Sequence, residues 1–258
     1  MLLLLGACGG AGPDREEILL ATTTSVEDTG LLDVLSAAYR SAHAGDHLRV
    51  IAVGTGQALE LARRGDADVV LVHDAAAESA FVAAGHGDAR RTIMRNDFVL
   101  VGPPDDPAQI RDAPDALEAM QRIARARVSF LSRGDSSGTH RREVALWRAA
   151  GIDPGGEWYR EAGVGQGDLL FMAGERGAYA LVDRGTFRFL EARLALRVLF
   201  PEGQVLENPY SVIVATRAAN PAAANRLADW LSGEEARAIV AAYGRDRFGS
   251  PLFEPMPW

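Results

Sequence analysis

The stretch EILLATTTSVEDTGLLDVLSAAYRSA, residues 17–42, decides the fold class of this 258-residue chain. A short apolar run, Glu17–Ala21, leads into a turn rich in threonine, and a helical pattern begins at about Gly30. Four residues of that pattern share one helix face: Leu31, Leu35, Ala38 and Ala42. Apolar residues three and four positions apart predict an amphipathic helix, so the stretch predicts a strand, a turn and a helix in succession.

The alternation of strand and helix continues beyond this stretch. The next predicted elements are a strand at Leu48–Val53, a short helix from Gln57, a strand at Asp68–Val72 and an alanine-rich helix at Ala75–Ala84. This order predicts an α/β fold with a mostly parallel sheet and right-handed crossovers. Asp68–Val72 has little polar interruption, which is typical of a strand covered on both faces.

A Gly- and Pro-rich segment, Gly102–Pro107, follows the strand pattern Phe98–Val101 and predicts the start of a second α/β unit. That unit has predicted helices at Asp115–Arg127 and Gly138–Ala150 and predicted strands at Val128–Leu131, Ala178–Val182 and Leu196–Phe200. A return strand, Asn208–Val214, precedes two C-terminal helices that begin near Asn220 and Ser232.

The composition excludes several functional classes. The net charge is −8 and all 27 basic residues are arginine, so the chain lacks the basic tracts of a nucleic-acid-binding protein. No apolar run approaches the roughly 20 residues of a transmembrane helix. Against this acidic background, any anion site has to be built from local donors.

Signals of catalysis are weak in this sequence. It contains no Gly-x-Ser-x-Gly or His-Glu-x-x-His motif and no Cys or His cluster with metal-ligand spacing. We therefore expect no catalytic residue, no cofactor and no metal site. A small hydrolase that uses Ser137 and His140 is the remaining catalytic alternative, although His140 near a helix start is more typical of a capping or packing residue.

Three segments share one design, in which a strand is followed by a tight turn of Gly, Ser and Thr and then by a helix start: Ala21–Gly30, Val53–Gln57 and Ser132–His140. Helix N-termini expose unpaired N–H groups, and serine and threonine add uncharged donors. Each turn alone is compatible with an ordinary helix cap. Three together predict an anion site at the carboxyl ends of the strands.

Two arginines and one histidine lie close to these turns in the sequence. The planar guanidinium of Arg133 can grip two oxygens of an oxyanion, or it can pair with Asp135. Arg184 follows a predicted strand, and we expect it to pair with Asp183 or to shape a hinge. His73 also follows a buried strand, and we expect it to be structural.

The N-terminal sequence MLLLLGACGGAGPD contains the only cysteine of the chain. Leu5–Cys8 resembles a bacterial lipobox, although a basic n-region is missing and a lone cysteine is often a small buried residue. The glycines that follow are typical of a flexible tether. We expect Cys8 to be lipidated and residues 1–16 to be a signal remnant and tether.

The motifs taken together resemble the tungstate-binding proteins of the TupA type, in order from about residue 17 to the C-terminus. The segments that carry the resemblance are Thr22–Leu32, Val53–Leu59, Gly65–His73, Arg95–Pro103, Ser132–His140 and Tyr179–Thr186. The resemblance implies a two-lobed type II periplasmic-binding-protein fold whose α/β lobes are joined by two crossing hinge strands. It places lobe I at 17–98 plus 209–258 and lobe II at 99–208, with crossings near Asp97–Gly102 and Asn208–Val212.

The resemblance also implies a function. It predicts the extracytoplasmic solute-binding component of an ABC importer, which captures tungstate or molybdate and delivers it to membrane permease and ATPase subunits. The implied ligand contacts are Thr23, Thr24, Ser25, Thr55, Gly56, Arg133, Ser137, Gly138 and Thr139. We expect a monomer in the periplasm or on the outer face of the cytoplasmic membrane.

Phosphate and sulfate are the alternative ligands on the same fold. Tungstate and molybdate are fully deprotonated dianions at neutral pH, so a site made only of donors suits them. Phosphate carries a proton and needs one acceptor, for which the sequence offers Asp28 or Asp135.

Overall fold

The computed structural model describes residues 16–201 and 206–256. Its strands are β1 (Glu16–Thr23), β2 (Asp46–Val53), β3 (Val69–Val72), β4 (Arg91–Gly102), β5 (Phe130–Ser132), β6 (Tyr159–Glu161), β7 (Ala180–Asp183), β8 (Arg197–Phe200), β9 (Glu207–Val214) and β10 (Glu254–Pro255). Its α-helices are α1 (Thr24–Glu27), α2 (Leu31–Ala42), α3 (Thr55–Arg64), α4 (Ala75–Ala83), α5 (Ala116–Ala126), α6 (Gly138–Ala149), α7 (Gln166–Arg176), α8 (Arg184–Leu190), α9 (Pro221–Ser232), α10 (Glu234–Ala242) and α11 (Arg245–Phe248).

The first part of the sheet is parallel, as predicted. Strand β1 lies between β2 and β3 and is parallel to both, because α2 and α3 return the chain to the same end of the sheet. Beyond β3 the order continues through three antiparallel pairings to give β10-β4-β9-β3-β1-β2. Strands β5 and β6 form a separate parallel pair.

Strand β4 connects two groups of strands. Its first part, Arg91–Asp97, pairs with β9, whereas Phe98–Val101 pairs with β7 and Leu100–Gly102 pairs with β8. Strands β4 and β9 are antiparallel to each strand that pairs with them among the described residues. The predicted α/β fold is confirmed, and in each of the parallel pairs β1–β2, β1–β3 and β5–β6 at least one helix lies between the two strands in the chain.

The buried hydrophobic residues of the described ranges form four clusters, and the two largest show the same division. One cluster packs β1 and β3 against α2, α9 and α10 and includes Leu20, Val69 and Tyr210. A second cluster packs β4, β7 and β8 against α5 and α6 and includes Phe130 and Trp147. This division agrees with the two predicted lobes, whose residue limits remain a prediction.

Several element boundaries differ from the sequence prediction. Helix α5 ends at Ala126 and its C-cap, Arg127, adopts a left-handed conformation at φ 49°; the following strand begins at Phe130 rather than at Val128. The short helix α1 was not predicted. Asn220 caps α9 as expected, since its side chain accepts a hydrogen bond from the Ala223 N–H at 3.2 Å.

Within the part of the chain that the structure describes, no helix has the length and apolar character needed to cross a bilayer. The predicted lipidation site, Cys8, and the tether lie outside the described residues.

Candidate functional site

The three predicted turns converge. Each follows the C-terminal end of a strand: α1 follows β1, α3 follows β2, and the turn before α6 follows β5. The guanidinium of Arg133 lies 3.5 Å from the Thr24 hydroxyl, which joins the first and third turns. A Cβ atom placed on Gly54 would lie 3.8 Å from the Ser137 Cα, which brings the second turn against the third.

In the first turn, a chain of hydrogen bonds leads inward from the hydroxyls. The Thr23 and Ser25 hydroxyls are 3.0 Å apart, and the Ser25 hydroxyl lies 3.2 Å from His73 Nε2. His73 Nδ1 lies 2.9 Å from the Asn208 side-chain oxygen. Ser25 and His73 are both buried, so these hydroxyls belong to an internal network.

The direction of this chain follows from Asp183. Its carboxylate can only accept, so the Asn208 amide nitrogen, 2.9 Å away, faces it and the Asn208 oxygen faces His73. The His73 Nδ1 therefore donates. Burial lowers the pKa of His73, which keeps the ring neutral and makes Nε2 an acceptor for the Ser25 hydroxyl. His73 thus has the structural position that we predicted, and it also stacks on Tyr210.

The second turn contributes a free hydroxyl. Thr55 is the first residue of α3 and is completely buried, and its Oγ1 has no hydrogen-bond partner within the described ranges. Gly56 follows it, where an added Cβ would approach the Arg141 guanidinium at 2.7 Å. The second turn therefore presents the buried Thr55 hydroxyl beside Gly56, whose missing side chain leaves room for the Arg141 guanidinium.

In the third turn, Arg133 is 2% exposed and has several partners. Its Nη2 lies 2.5 Å from an Asp135 carboxylate oxygen, and its Nη1 donates to the Gln166 side-chain oxygen at 3.1 Å. The pairing with Asp135 is therefore present. Arg133 Nε is buried, and among residues 16–201 and 206–256 it finds no acceptor, so one N–H of the fork remains available.

The remaining residues of the third turn organise the start of α6. Ser137 is its N-cap and accepts from the His140 N–H at 3.2 Å, and Thr139 donates its hydroxyl to the Gln166 oxygen at 3.2 Å. Gly138 is packed so closely on His73 that an added Cβ would lie 2.9 Å from the ring. These contacts account for the Ser and Gly residues of the motif.

His140 has the capping role expected of it. Its Nδ1 accepts a hydrogen bond from the Ser136 N–H at 3.0 Å, and Nε2 lies 3.8 Å from a Glu161 oxygen. The contact of His140 with Ser137 is through the backbone N–H. The imidazole is therefore engaged away from the serine, so this pair lacks the hydrogen bond that a nucleophile and its base require.

A fourth turn was missed by the sequence reasoning. Helix α7 begins at Gln166 after Gly165, and Gln166 is completely buried between Arg133 and Thr139. The Gly167 N–H donates to Asp28 at 3.3 Å, which connects this turn to the first one. The signal was present in Gly163-Val164-Gly165-Gln166, which repeats the design of a strand, a glycine turn and a helix start.

The two candidate acceptors are both occupied by the protein. Asp28 accepts from the Gly167 N–H, and burial raises the pKa of its carboxyl. Asp135 pairs with Arg133 and also accepts from the Ser137 N–H at 3.1 Å. Neither carboxylate is therefore presented as an unpaired acceptor.

The expected pairing of Arg184 with Asp183 is wrong, and the alternative, that Arg184 shapes a hinge, stays a prediction. Asp183 is fully buried and accepts from Asn96, Asn208 and Tyr210 at 2.6–2.9 Å. Arg184 instead lies 3.4 Å from Asp97 on β4, at the point where that strand changes partners. The burial of Asp183 explains the difference, because amide and phenol donors already surround its carboxylate.

The chain was compared with known proteins. The PBP superfamily domain matches residues 10–235. The tungstate-binding protein TupA of Peptoclostridium acidaminophilum is 42% identical over 268 residues, which cover 98% of this chain and 93% of that relative.

Two solved structures are also similar. One is the tungstate ABC transporter protein from Geobacter sulfurreducens, with 45% identity, a TM-score of 0.79, and coverage of 88% of this chain and 99% of that one. The other is the tungstate-binding protein TupA from Desulfovibrio alaskensis G20, with 36% identity, a TM-score of 0.75, and coverage of 94% and 100%. The resemblance carried by the turn motifs is confirmed, and the chain belongs to the TupA family within the PBP superfamily.

Proposed function

We propose that this chain is the extracytoplasmic binding component of an ABC importer and that it captures tungstate between its two lobes. One observation carries the proposal: two buried donors of the predicted turns, Thr55 Oγ1 and Arg133 Nε, have no hydrogen-bond partner in the described part of the chain. A buried unpaired donor costs about 1–3 kcal/mol, and an oxyanion bound among the turns would satisfy both. The relatives named for tungstate support tungstate as the anion.

The chemistry of the turns favours a fully deprotonated dianion. Asp28 and Asp135 already accept hydrogen bonds from the protein, so neither is an unpaired acceptor held open for the proton of a bound phosphate. Sulfate also lacks a proton, and the relatives favour tungstate over it. Molybdate differs little from tungstate in size and charge, so it is the closest competitor.

The donors are sufficient for tight binding. A hydrogen bond to a charged group is worth about 1.5–3 kcal/mol, so five or six of them cover the roughly 12 kcal/mol of nanomolar affinity before closure costs. We propose the nine predicted contacts in the three turns as this donor set. For Thr23, Ser25 and Thr139, whose hydroxyls contact the protein, the main-chain N–H groups are the proposed donors.

Ligand binding and closure are coupled in this proposal. Lobe I, 17–98 with 209–258, contributes the first two turns, and lobe II, 99–208, contributes Arg133 and the α6 turn. An anion favours the closed state only if it binds that state more tightly than the open state, and its contacts with both lobes provide this difference in affinity. The permease and ATPase subunits then receive the closed form. The chain acts as a monomer without enzymatic activity, and Cys8 provides its lipid anchor.

Competitive calorimetry tests the proposal. The mature chain is titrated with tungstate, molybdate, sulfate and phosphate, and tungstate is expected to bind most tightly with one site per chain. A preference for phosphate or sulfate would contradict it. Hydrolysis of a chromogenic ester that is lost in Ser137→Ala would instead support the hydrolase alternative.

A further inference from the structure

Gln166 is a buried amide at the edge of the three turns. It is the first residue of α7, it is 0% exposed, and it lies outside the motifs on which the binding residues were predicted. Its side chain contacts two of those predicted residues, Arg133 and Thr139. The amide is therefore part of the same cluster, although it lies outside the three predicted turns.

The orientation of this amide is fixed by Arg133. A guanidinium has only donors, so the group that it approaches at 3.1 Å has to be the Gln166 oxygen. The Thr139 hydroxyl donates to the same oxygen at 3.2 Å. Both lone pairs of the oxygen are then used, and rotation of the amide by half a turn would place its NH₂ group against the Arg133 donor.

The nitrogen of the amide is left without a partner. Gln166 Nε2 is buried and makes no hydrogen bond to any residue in 16–201 or 206–256. Its two N–H groups are shielded from water. The amide cannot flip to put its oxygen in their place, because Arg133 and Thr139 hold that oxygen. Four further side-chain atoms of the described residues are also buried without a partner, and three of them belong to two of the predicted turns: Thr55 Oγ1, Ser132 Oγ and Arg133 Nε.

We infer that Gln166 donates from Nε2 to the bound oxyanion and is a ligand-binding residue of the site. This inference rests on the proposed function. Because its oxygen is held by Arg133 and Thr139, Gln166 offers the ligand a donor and never an acceptor. The ligand atom that it contacts therefore has to be an unprotonated oxygen, which every oxygen of tungstate is.

The near-isosteric variant Gln166→Glu tests this role. It keeps one oxygen for Arg133 and Thr139 and replaces the NH₂ group with a second oxygen. Loss of one hydrogen bond to a charged ligand corresponds to about ten- to hundredfold weaker binding, and a negative charge adds repulsion. The expected result is tungstate binding at least about a hundredfold weaker, with a melting temperature of the ligand-free chain that is equal or higher, because the carboxylate strengthens the Arg133 contact.

Gln109→Glu is the matched control. It makes the same change in charge at an exposed side chain in the loop after β4, and tungstate affinity should stay within about threefold of the wild type. If Gln166→Glu also binds within threefold, the inference is overturned while the proposed function stands. If the wild-type chain does not bind tungstate in calorimetry, both are overturned.

A structure of the wild-type chain with tungstate gives a test that does not depend on the folding of a variant. Tungsten can be located by its anomalous scattering. A distance of about 2.7–3.2 Å from Gln166 Nε2 to a tungstate oxygen is expected. A distance beyond about 4 Å would exclude the hydrogen bond and overturn the inference.

Discussion

Substitution of Thr55 by valine should change stability and affinity in opposite directions. Thr55 is fully buried and its hydroxyl has no partner among the described residues, so the ligand-free chain bears the cost of a desolvated donor. Valine has nearly the same shape and no hydroxyl. We expect Thr55→Val to raise the free energy of unfolding of the ligand-free chain by about 1 kcal/mol, or about 2–4 °C in melting temperature.

The same substitution should weaken tungstate binding. Loss of one hydrogen bond to a charged ligand costs about 1.5–3 kcal/mol, which is about ten- to hundredfold in affinity. Scanning calorimetry of the ligand-free chain and titration calorimetry with tungstate measure the two effects separately. If Thr55 were structural, both quantities would fall together, and that result would refute the reasoning.

Thr22→Val is the matched control for this experiment. Thr22 is equally buried, but its hydroxyl donates to the Leu71 carbonyl at 2.9 Å. Its replacement leaves that carbonyl without its donor, so the free energy of unfolding should fall by about 1–3 kcal/mol. Tungstate affinity should remain close to that of the wild type. A gain in stability in both variants would attribute the effect to valine itself rather than to the free hydroxyl of Thr55.

Three further substitutions test the site and its support. Arg133→Lys keeps the charge but lacks the planar fork beside Asp135, so tungstate should bind about ten- to hundredfold more weakly in calorimetry; unchanged affinity would contradict a direct contact. Burial raises the pKa of Glu143 to about 7 from an ordinary 4.5. Between these two pH values the folded chain retains a proton that the unfolded chain releases, so the free energy of unfolding falls as pH rises. Melting curves should show Glu143→Gln gaining about 3 kcal/mol relative to the wild type between about pH 4 and about pH 8, and a constant difference would contradict the shift. Tyr210 donates to Asp183 at 2.6 Å, so Tyr210→Phe should lower the free energy of unfolding in urea by about 1.5–3 kcal/mol, and a change below about 0.5 kcal/mol would show that the bond is dispensable.

Local pattern was sufficient for much of the fold. The periodicity from Leu31 to Ala42 predicted α2, and the uninterrupted apolar run at Asp68–Val72 predicted the buried strand β3. The repeated Gly, Ser and Thr turns identified three helix starts that the structure brings together. These features depend on neighbours within a few residues, and such neighbours are visible in the sequence.

The orientation of the buried polar groups depends on residues far apart in the chain. The Asp183 carboxylate accepts hydrogen bonds from Asn96 on β4 and Asn208 on β9. Arg184 therefore pairs with Asp97 instead of Asp183, and the Asn208 oxygen faces His73. No local pattern in the sequence encodes those distances.

The sequence by itself therefore determined the α/β class and the positions of the three turns. Only the tertiary structure decided which donors remain free. The Thr139 hydroxyl is used by the Gln166 oxygen, whereas the Thr55 hydroxyl and the Gln166 amide nitrogen are buried without partners. A serine, threonine or glutamine has the same donors wherever it occurs, and its availability to a ligand depends on the acceptors that folding places beside it.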